Sequence, residues 1–271
     1  MTKTTPEITL RKRRLRGLSI NTMIPNILTL MALAAGLTAM RFAIQERWEY
    51  AVLALVASAI LDTLDGRVAR LLKGASKFGA ELDSLSDFVC FGVAPAMILY
   101  LWSMQVAGKV GWILVMLFAM CMALRLARFN VALEDENAPA WKAQFFTGVP
   151  APAGAGLVLL PLVLSFLVGD QIARNPWVVA SCLFVVGGLL VSSFPTFSFK
   201  KVKIPPRWIL PTMLIVASIA AFSVTVPWIT LSTVLLIYIC SFPLSYQAHR
   251  RHERRLDATS QPSDPPSDEG D

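Results

Sequence analysis

The sequence predicts an all-α, polytopic integral membrane protein, a helical bundle of about eight transmembrane helices with both termini on the cytoplasmic side. Three observations predict it. The 271 residues are 55% hydrophobic and only 16% charged, with a mean hydropathy of +0.58. Apolar stretches long enough to cross a hydrocarbon core of about 30 Å as helices recur along almost the whole chain. The lysines and arginines gather on one set of connections.

In order, the expected spans are 24–44, 51–73, 82–105, 109–127, 151–168, 177–193, 208–224 and 227–247. The first follows a basic cytoplasmic segment, 1–20, and its apolar run is too long for the core of a cleaved signal peptide, so it is expected to remain as an anchor. After the second comes "LLKGASKF", where Gly74 is expected to stop the helix and Lys73 and Lys77 mark the interface. The fourth span ends in "LRLARFN". The fifth opens on "GVPAPAGAG", whose prolines and small residues suit either a helix entry or a cavity wall. Only "TVP" separates the seventh from the eighth, so Pro227 must begin a new helix. The resulting organisation is the basic segment 1–20, a membrane domain over 21–248 and a cytoplasmic tail over 249–271, whose polar, acidic, Pro-rich composition reads as disordered.

Orientation follows from charge. With the N-terminus inside, 21 of the 25 basic residues fall on the cytoplasmic side, leaving Arg41, Arg47, Lys109 and Arg174 outside. This asymmetry requires an even number of spans. The net charge of +7 is therefore a topology signal, to which attraction for anionic inner-leaflet lipid adds; it does not point to nucleic acid. Cys90, Cys121, Cys182 and Cys240 all sit in apolar spans and read as buried reduced thiols.

One stretch departs from this apolar pattern. "LDTLDGRVARLLKGASKFGAELDSLSD", Leu61 to Asp87, contains four aspartates. At about 100° per residue Asp62, Asp65, Gly66, Ala69 and Arg70 share one helix face. Gly79, Asp83 and Asp87 form a stripe on the next helix, which returns antiparallel, so both acidic faces converge just inside the cytoplasmic boundary. Ionised carboxylates cannot stand unpaired in hydrocarbon. Either the acids are protonated or cations intervene, and an all-oxygen cluster suits hard divalent ions, Mg²⁺ or Mn²⁺. Gly66 and Ala69 allow either close helix packing or room for a bulky ligand, with Arg70 placed to pair with a phosphate. Two metals, small residues and an arginine describe a diphosphate site.

The pattern Asp62-x2-Asp65-Gly66-x2-Ala69-Arg70-x8-Gly79-x3-Asp83-x3-Asp87 resembles, at every position, the signature of the CDP-alcohol phosphatidyltransferases. These membrane enzymes displace CMP from a CDP-linked alcohol with a hydroxyl nucleophile. "IPNILTL", "FGAELDSLSDFVCFGVAPA", "LRLARFNV", "FTGVPAPAGA" and "SFPTFSFKK" are similar to the membrane-embedded CDP-diacylglycerol–serine O-phosphatidyltransferases, over about residues 20–205.

The resemblance implies metal binding by Asp62, Asp65, Asp83 and Asp87, with Asp87 also the general base, and contacts from Gly66, Ala69 and Arg70 to the CDP portion. Asn26 and Thr29 match the family's "PN-x-x-T" near the nucleotide, although Pro25-Asn26 also suits an ordinary helix start. It further implies CDP-diacylglycerol and L-serine as substrates, a homodimer, and a cytoplasm-facing site in the inner (cytoplasmic) membrane.

Arg125, Arg128 and Asn130 are candidates for the serine carboxylate or a lipid phosphate. Arg125 and Arg128 are i, i+3 neighbours that positive-inside anchoring would equally explain. Lys200 and Lys201 allow the same two readings. Rival functions are transfer to another acceptor, glycerol 3-phosphate or inositol phosphate, and, in a different class, a carboxylate-based ion or proton-coupled transporter. Transporters usually place charge at the midplane in two related halves, which this chain lacks.

Overall fold

A computed structural model describes residues 20–134, 146–147, 149–192, 195–196 and 209–241. The segment 1–19, Lys142, Lys200, Lys201 and the tail 249–271 lie outside the described residues. Large apolar side chains such as Ile27, Leu53, Ile113, Leu117 and Phe184 face outward, where a water-soluble bundle would present polar groups.

Helix α1, Ile20–Ile44, and α2, Trp48–Leu71, form a hairpin and pack together more extensively than any other pair. Its turn places Glu46 in the left-handed region, at φ 59°. A short link leads to α3, Lys77–Asp87, a π-helical turn, Phe88–Val93, and α4, Ala94–Trp102, which follow one another without a break. A 3-10 turn, Met104–Ala107, opens into α5, Gly108–Glu134.

The two-residue strand β1, Phe146–Thr147, pairs antiparallel with β2, Pro195–Thr196, Phe146 opposite Thr196 and Thr147 opposite Pro195. Two of the sequence motifs, "FTGVP" and "SFPTF", thus meet. The remaining helices are α6, Ala151–Val168, the short α7, Asp170–Ala173, α8, Pro176–Val191, α9, Ile209–Thr225, and α10, Pro227–Ser241.

Each of the eight apolar stretches read from the sequence overlaps a helical segment of the described residues, the eighth as far as Ser241. Among the described residues four helices are long and apolar enough to cross a membrane: Asn21–Ile44, Lys77–Trp102, Met104–Ala132 and Ala151–Val168. Pro176–Val191, Leu210–Thr225 and Pro227–Ser241 are shorter apolar helices. With 24 residues α2 has the length, but its second half carries Asp62, Asp65, Arg67 and Arg70.

The two ends of the bundle differ in chemistry. At one, Arg174 Nε donates to Trp102 O at 2.9 Å and its guanidinium pairs with Asp170 at 3.6 Å, while Arg47 lies 4.1 Å over the Tyr50 ring. At the other, the α2–α3 link meets the start of α1, and α5 meets the start of α6 and the end of α8.

Two local expectations are corrected. Gly74 does not stop α2: the helix ends at Leu71, and the left-handed residue is Lys73, at φ 49°. Gly74 is small for another reason, because a Cβ there would lie 2.1 Å from Asn21 O. That carbonyl is the one Pro25, lacking an N–H, cannot bond within α1. Pro25 accordingly lies inside α1 instead of at its start.

The third expected span is also not a uniform helix. It widens into the π-helical turn right after Asp87, where Ala94 N donates to Val89 O. Pro95 follows at once, and a proline ring clashes with the preceding turn of a regular α-helix; a widened turn relieves the clash.

Candidate active site

Four helical elements build the site, and the close approach of α1 sets their spacing. Ser58 Oγ and Cys90 Sγ both donate to Ala32 O, at 2.9 and 3.4 Å, and Ser86 Oγ donates to Thr29 O at 3.4 Å. Gly36 lets α1 lie against the π-helical turn, since a Cβ there would stand 2.6 Å from Cys90 Sγ. Ser76 caps α3, its Oγ accepting from Gly79 N at 3.0 Å, which sets the start of the helix that carries Asp83 and Asp87.

Three of the four aspartates meet, and the fourth does not join them. Carboxylate oxygens of Asp62, Asp83 and Asp87 all lie within 4.8 Å of one another, each side chain half-buried. Asp65 is turned toward α1, where its Oδ2 accepts from Thr29 Oγ1 at 2.6 Å. Among the described residues the one ion pair is Arg174–Asp170, so none of the described lysines and arginines pairs directly with the cluster. Asp87 Oδ1 is buried with no hydrogen-bond partner among the described residues. Oxygen donors, close mutual approach and an orphaned buried oxygen together fit a hard divalent cation.

Beside the cluster opens a cleft of about 440 Å³, to which α1 contributes Asn26 and Thr29, α2 contributes Asp65, Gly66, Ala69 and Arg70, and α3 contributes Gly79 and Asp83. Every residue that the signature implies for the CDP portion therefore lines one cavity. The nearest atom to a Cβ built on Gly66 is Arg70 Nη2, at 3.9 Å, so a larger side chain would project into open space. Gly79 is different: a Cβ there would come within 2.8 Å of Asn26 Oδ1. Arg70 is exposed, its Nε held by Gly66 O at 3.0 Å, which leaves the guanidinium edge facing the cleft.

The pattern, read against known families, matches the CDP-alcohol phosphatidyltransferase model over residues 22–192. The chain belongs to the CDP-alcohol phosphatidyltransferase family. Among curated members, the CDP-diacylglycerol–serine O-phosphatidyltransferase of Mycobacterium tuberculosis (strain ATCC 25618 / H37Rv) is 38% identical over 240 residues, 89% of this chain and 83% of the relative. Those of Mycobacterium leprae (strain TN) and Helicobacter pylori (strain ATCC 700392 / 26695) carry the same name. They are 39% identical over 245 residues and 35% over 221, covering 90% and 80% of this chain and 80% and 88% of the relatives.

For a CDP-alcohol phosphatidyltransferase the remaining question is where the acceptor alcohol lies. The three candidates at the end of α5 have three different hydrogen-bond partners. Arg125 Nε donates to Val149 O, beside the start of α6. Asn130 Nδ2 donates to Ser84 Oγ at 2.9 Å, on α3 between Asp83 and Asp87. Arg128 turns away: its Nη1 donates to Val191 O at 2.8 Å, at the end of α8. Ser84 escaped the sequence reading, since an isolated hydroxyl carries no spacing signal.

Proposed function

We propose that this chain transfers a phosphatidyl group from CDP-diacylglycerol to the hydroxyl of L-serine, giving phosphatidylserine and CMP. The observation that carries the reading is the juxtaposition of the aspartate cluster with the cleft that Asn26, Thr29, Gly66, Ala69 and Arg70 line. The names of the relatives support the choice of substrates.

The residues divide the work. Gly66 and Ala69 leave room for the nucleotide, Asn26 and Thr29 border it, and Arg70 pairs with the diphosphate. Arg125, fixed at Nε, presents its free N–H groups to the serine carboxylate, which holds the serine hydroxyl near Asp87. Asp87 accepts the hydroxyl proton as the serine oxygen bonds to the phosphorus bearing diacylglycerol, and the bond from that phosphorus to the CMP oxygen breaks. Asp62, Asp65, Asp83 and Asp87 would hold Mg²⁺ or Mn²⁺, two ions, whose charge offsets that of the diphosphate and of the departing CMP.

This chemistry belongs at the cytoplasmic face of the inner membrane, because serine and CMP are water-soluble while both lipids stay in the leaflet. Eight crossings with both termini inside support it: Arg47 and Arg174 then mark the outer end of the bundle, and Lys73, Lys77, Arg125 and Arg128 the inner end. The membrane domain over 21–248 would be flanked by a basic segment and an acidic tail, and a homodimer is the expected assembly.

The test offers serine, glycerol 3-phosphate and inositol phosphate side by side to the purified protein with CDP-diacylglycerol, with Mg²⁺ or Mn²⁺ and with EDTA. Metal-dependent CMP release with serine is expected. Release with a phosphorylated acceptor alone would replace serine, and no release with any acceptor would leave the transport reading.

A further inference from the structure

Helix α3 carries Asp83 and Asp87, two of the three clustered acids, so its rotation about its own axis decides where both carboxylates point. At about 100° per residue the two acids form a stripe, with Ser84 about 80° to one side of its middle and Ser86 about 80° to the other. Each serine is tied to a different helix. Ser86 Oγ donates to Thr29 O of α1 at 3.4 Å, and Ser84 Oγ accepts from Asn130 Nδ2 of α5 at 2.9 Å. The acidic stripe is thus stayed on both flanks.

Ser84 itself settles the direction of the second bond. Its one hydroxyl proton goes to Ala80 O at 3.0 Å, so toward Asn130 it can only accept, and the Asn130 amide must turn its N–H₂ to Ser84. Both partners are half-buried. Both are also neutral, which suits the place. A lysine or arginine at the end of α5 would bring a fixed positive charge beside the carboxylates and compete with a cation for them; an amide holds the helix without entering the cluster.

We propose that Asn130 is a positioning residue of the metal site: by holding Ser84 it sets the rotation of α3 and so aims Asp83 and Asp87 at the ion. The assignment rests on the metal reading given above. It places Asn130 on the metal side of the site and not on the serine carboxylate.

The experiment uses the full chain in detergent, stripped with EDTA and titrated with Mn²⁺ alone, binding being read by electron paramagnetic resonance without substrate. Asn130→Ala and Ser84→Ala are each expected to weaken Mn²⁺ binding about fivefold, the worth of one hydrogen bond between neutral groups. The double variant should be no weaker than either, because both changes remove the same bond. Ser84→Thr keeps the hydroxyl and should bind Mn²⁺ as wild type does. In steady-state kinetics the Mn²⁺ concentration for half-maximal activity should shift by the same factor, with the serine KM within about twofold of wild type, below the effect of a single hydrogen bond to a charged group. Mn²⁺ binding unchanged in the single variants overturns the assignment, and a lower melting temperature in EDTA would then mark a plain structural contact. Additive losses in the double variant overturn it too, since Asn130 would act without Ser84. So does a raised serine KM with Mn²⁺ binding intact, which would return Asn130 to the acceptor. If Asn130→Ala does not fold, Ser84→Ala against Ser84→Thr decides on the same readout. A wild-type chain that binds no Mn²⁺ would remove the metal reading and the assignment with it.

Discussion

Thr29 Oγ1 donates to Asp65 Oδ2 across 2.6 Å, and both side chains are only 4% exposed. The bond crosses from α1 to α2 and fixes Asp65, the one of the four acids proposed to hold metal that stands outside the cluster of Asp62, Asp83 and Asp87. A group that orients a metal-binding carboxylate contributes to the affinity of the site without touching the ion. Thr29→Val, nearly the same shape without the donor, is expected to raise the Mg²⁺ or Mn²⁺ concentration for half-maximal activity by about 10- to 100-fold. Thr29→Ser should restore most of it. A metal titration of activity reads the effect, and a flat comparison would reduce Thr29 to nucleotide packing.

The orphaned Asp87 Oδ1 separates two roles that the sequence assigns to one residue. Asp87→Asn keeps the shape of the side chain but loses its basicity. If Asp87 takes the serine proton, turnover should fall by about 10² to 10⁴, the usual contribution of a general base, while CDP-diacylglycerol binding persists. Measuring binding and CMP release on the same preparation distinguishes this from a metal-only role, in which both would fall together.

Glycines of the signature should divide by what surrounds them. Gly66 faces the open cleft, whereas a Cβ at Gly79 would press on Asn26 Oδ1 at 2.8 Å. Gly66→Leu is therefore expected to leave thermal stability close to wild type and to weaken nucleotide binding by at least about tenfold. Gly79→Leu should lower the melting temperature, because the neighbouring side chain and α1 must move. Full activity in Gly66→Leu would show that the nucleotide does not use this wall.

Much of this site was legible because helical periodicity is a strong signal and charge in an apolar helix is a costly anomaly. The spacing of Asp62, Asp65, Asp83 and Asp87 implied two converging faces, and the oxygens of Asp62, Asp83 and Asp87 come within 4.8 Å of one another while Asp65 turns to Thr29. Periodicity could not show that Thr29 would reach Asp65, since that contact depends on how closely α1 lies against α2. Nor could it foresee the π-helical turn after Asp87, where Pro95 and the packing around Gly92 decide the local geometry. Arg125 and Arg128 exposed the same limit. Their i, i+3 spacing puts them on one helix face, but long side chains choose partners one by one, and Arg125 bonds Val149 O before α6 while Arg128 bonds Val191 O at the end of α8.

That divergence gives the last prediction. Arg128 is exposed and donates to the final carbonyl region of α8, so it satisfies a helix end and favours the helix dipole there. Arg125 is half-buried, with its Nε committed to Val149 O and not to the end of α8. Arg128→Gln should thus cost at most about 1 kcal/mol of stability and leave the serine KM within about twofold of wild type, below the effect of a single hydrogen bond to a charged group. Arg125→Gln should raise the serine KM by at least about tenfold, as loss of a charge-assisted contact to a carboxylate does. Steady-state kinetics with serine varied at saturating CDP-diacylglycerol measure both, and the reverse ranking would move the acceptor to the α8 side of α5.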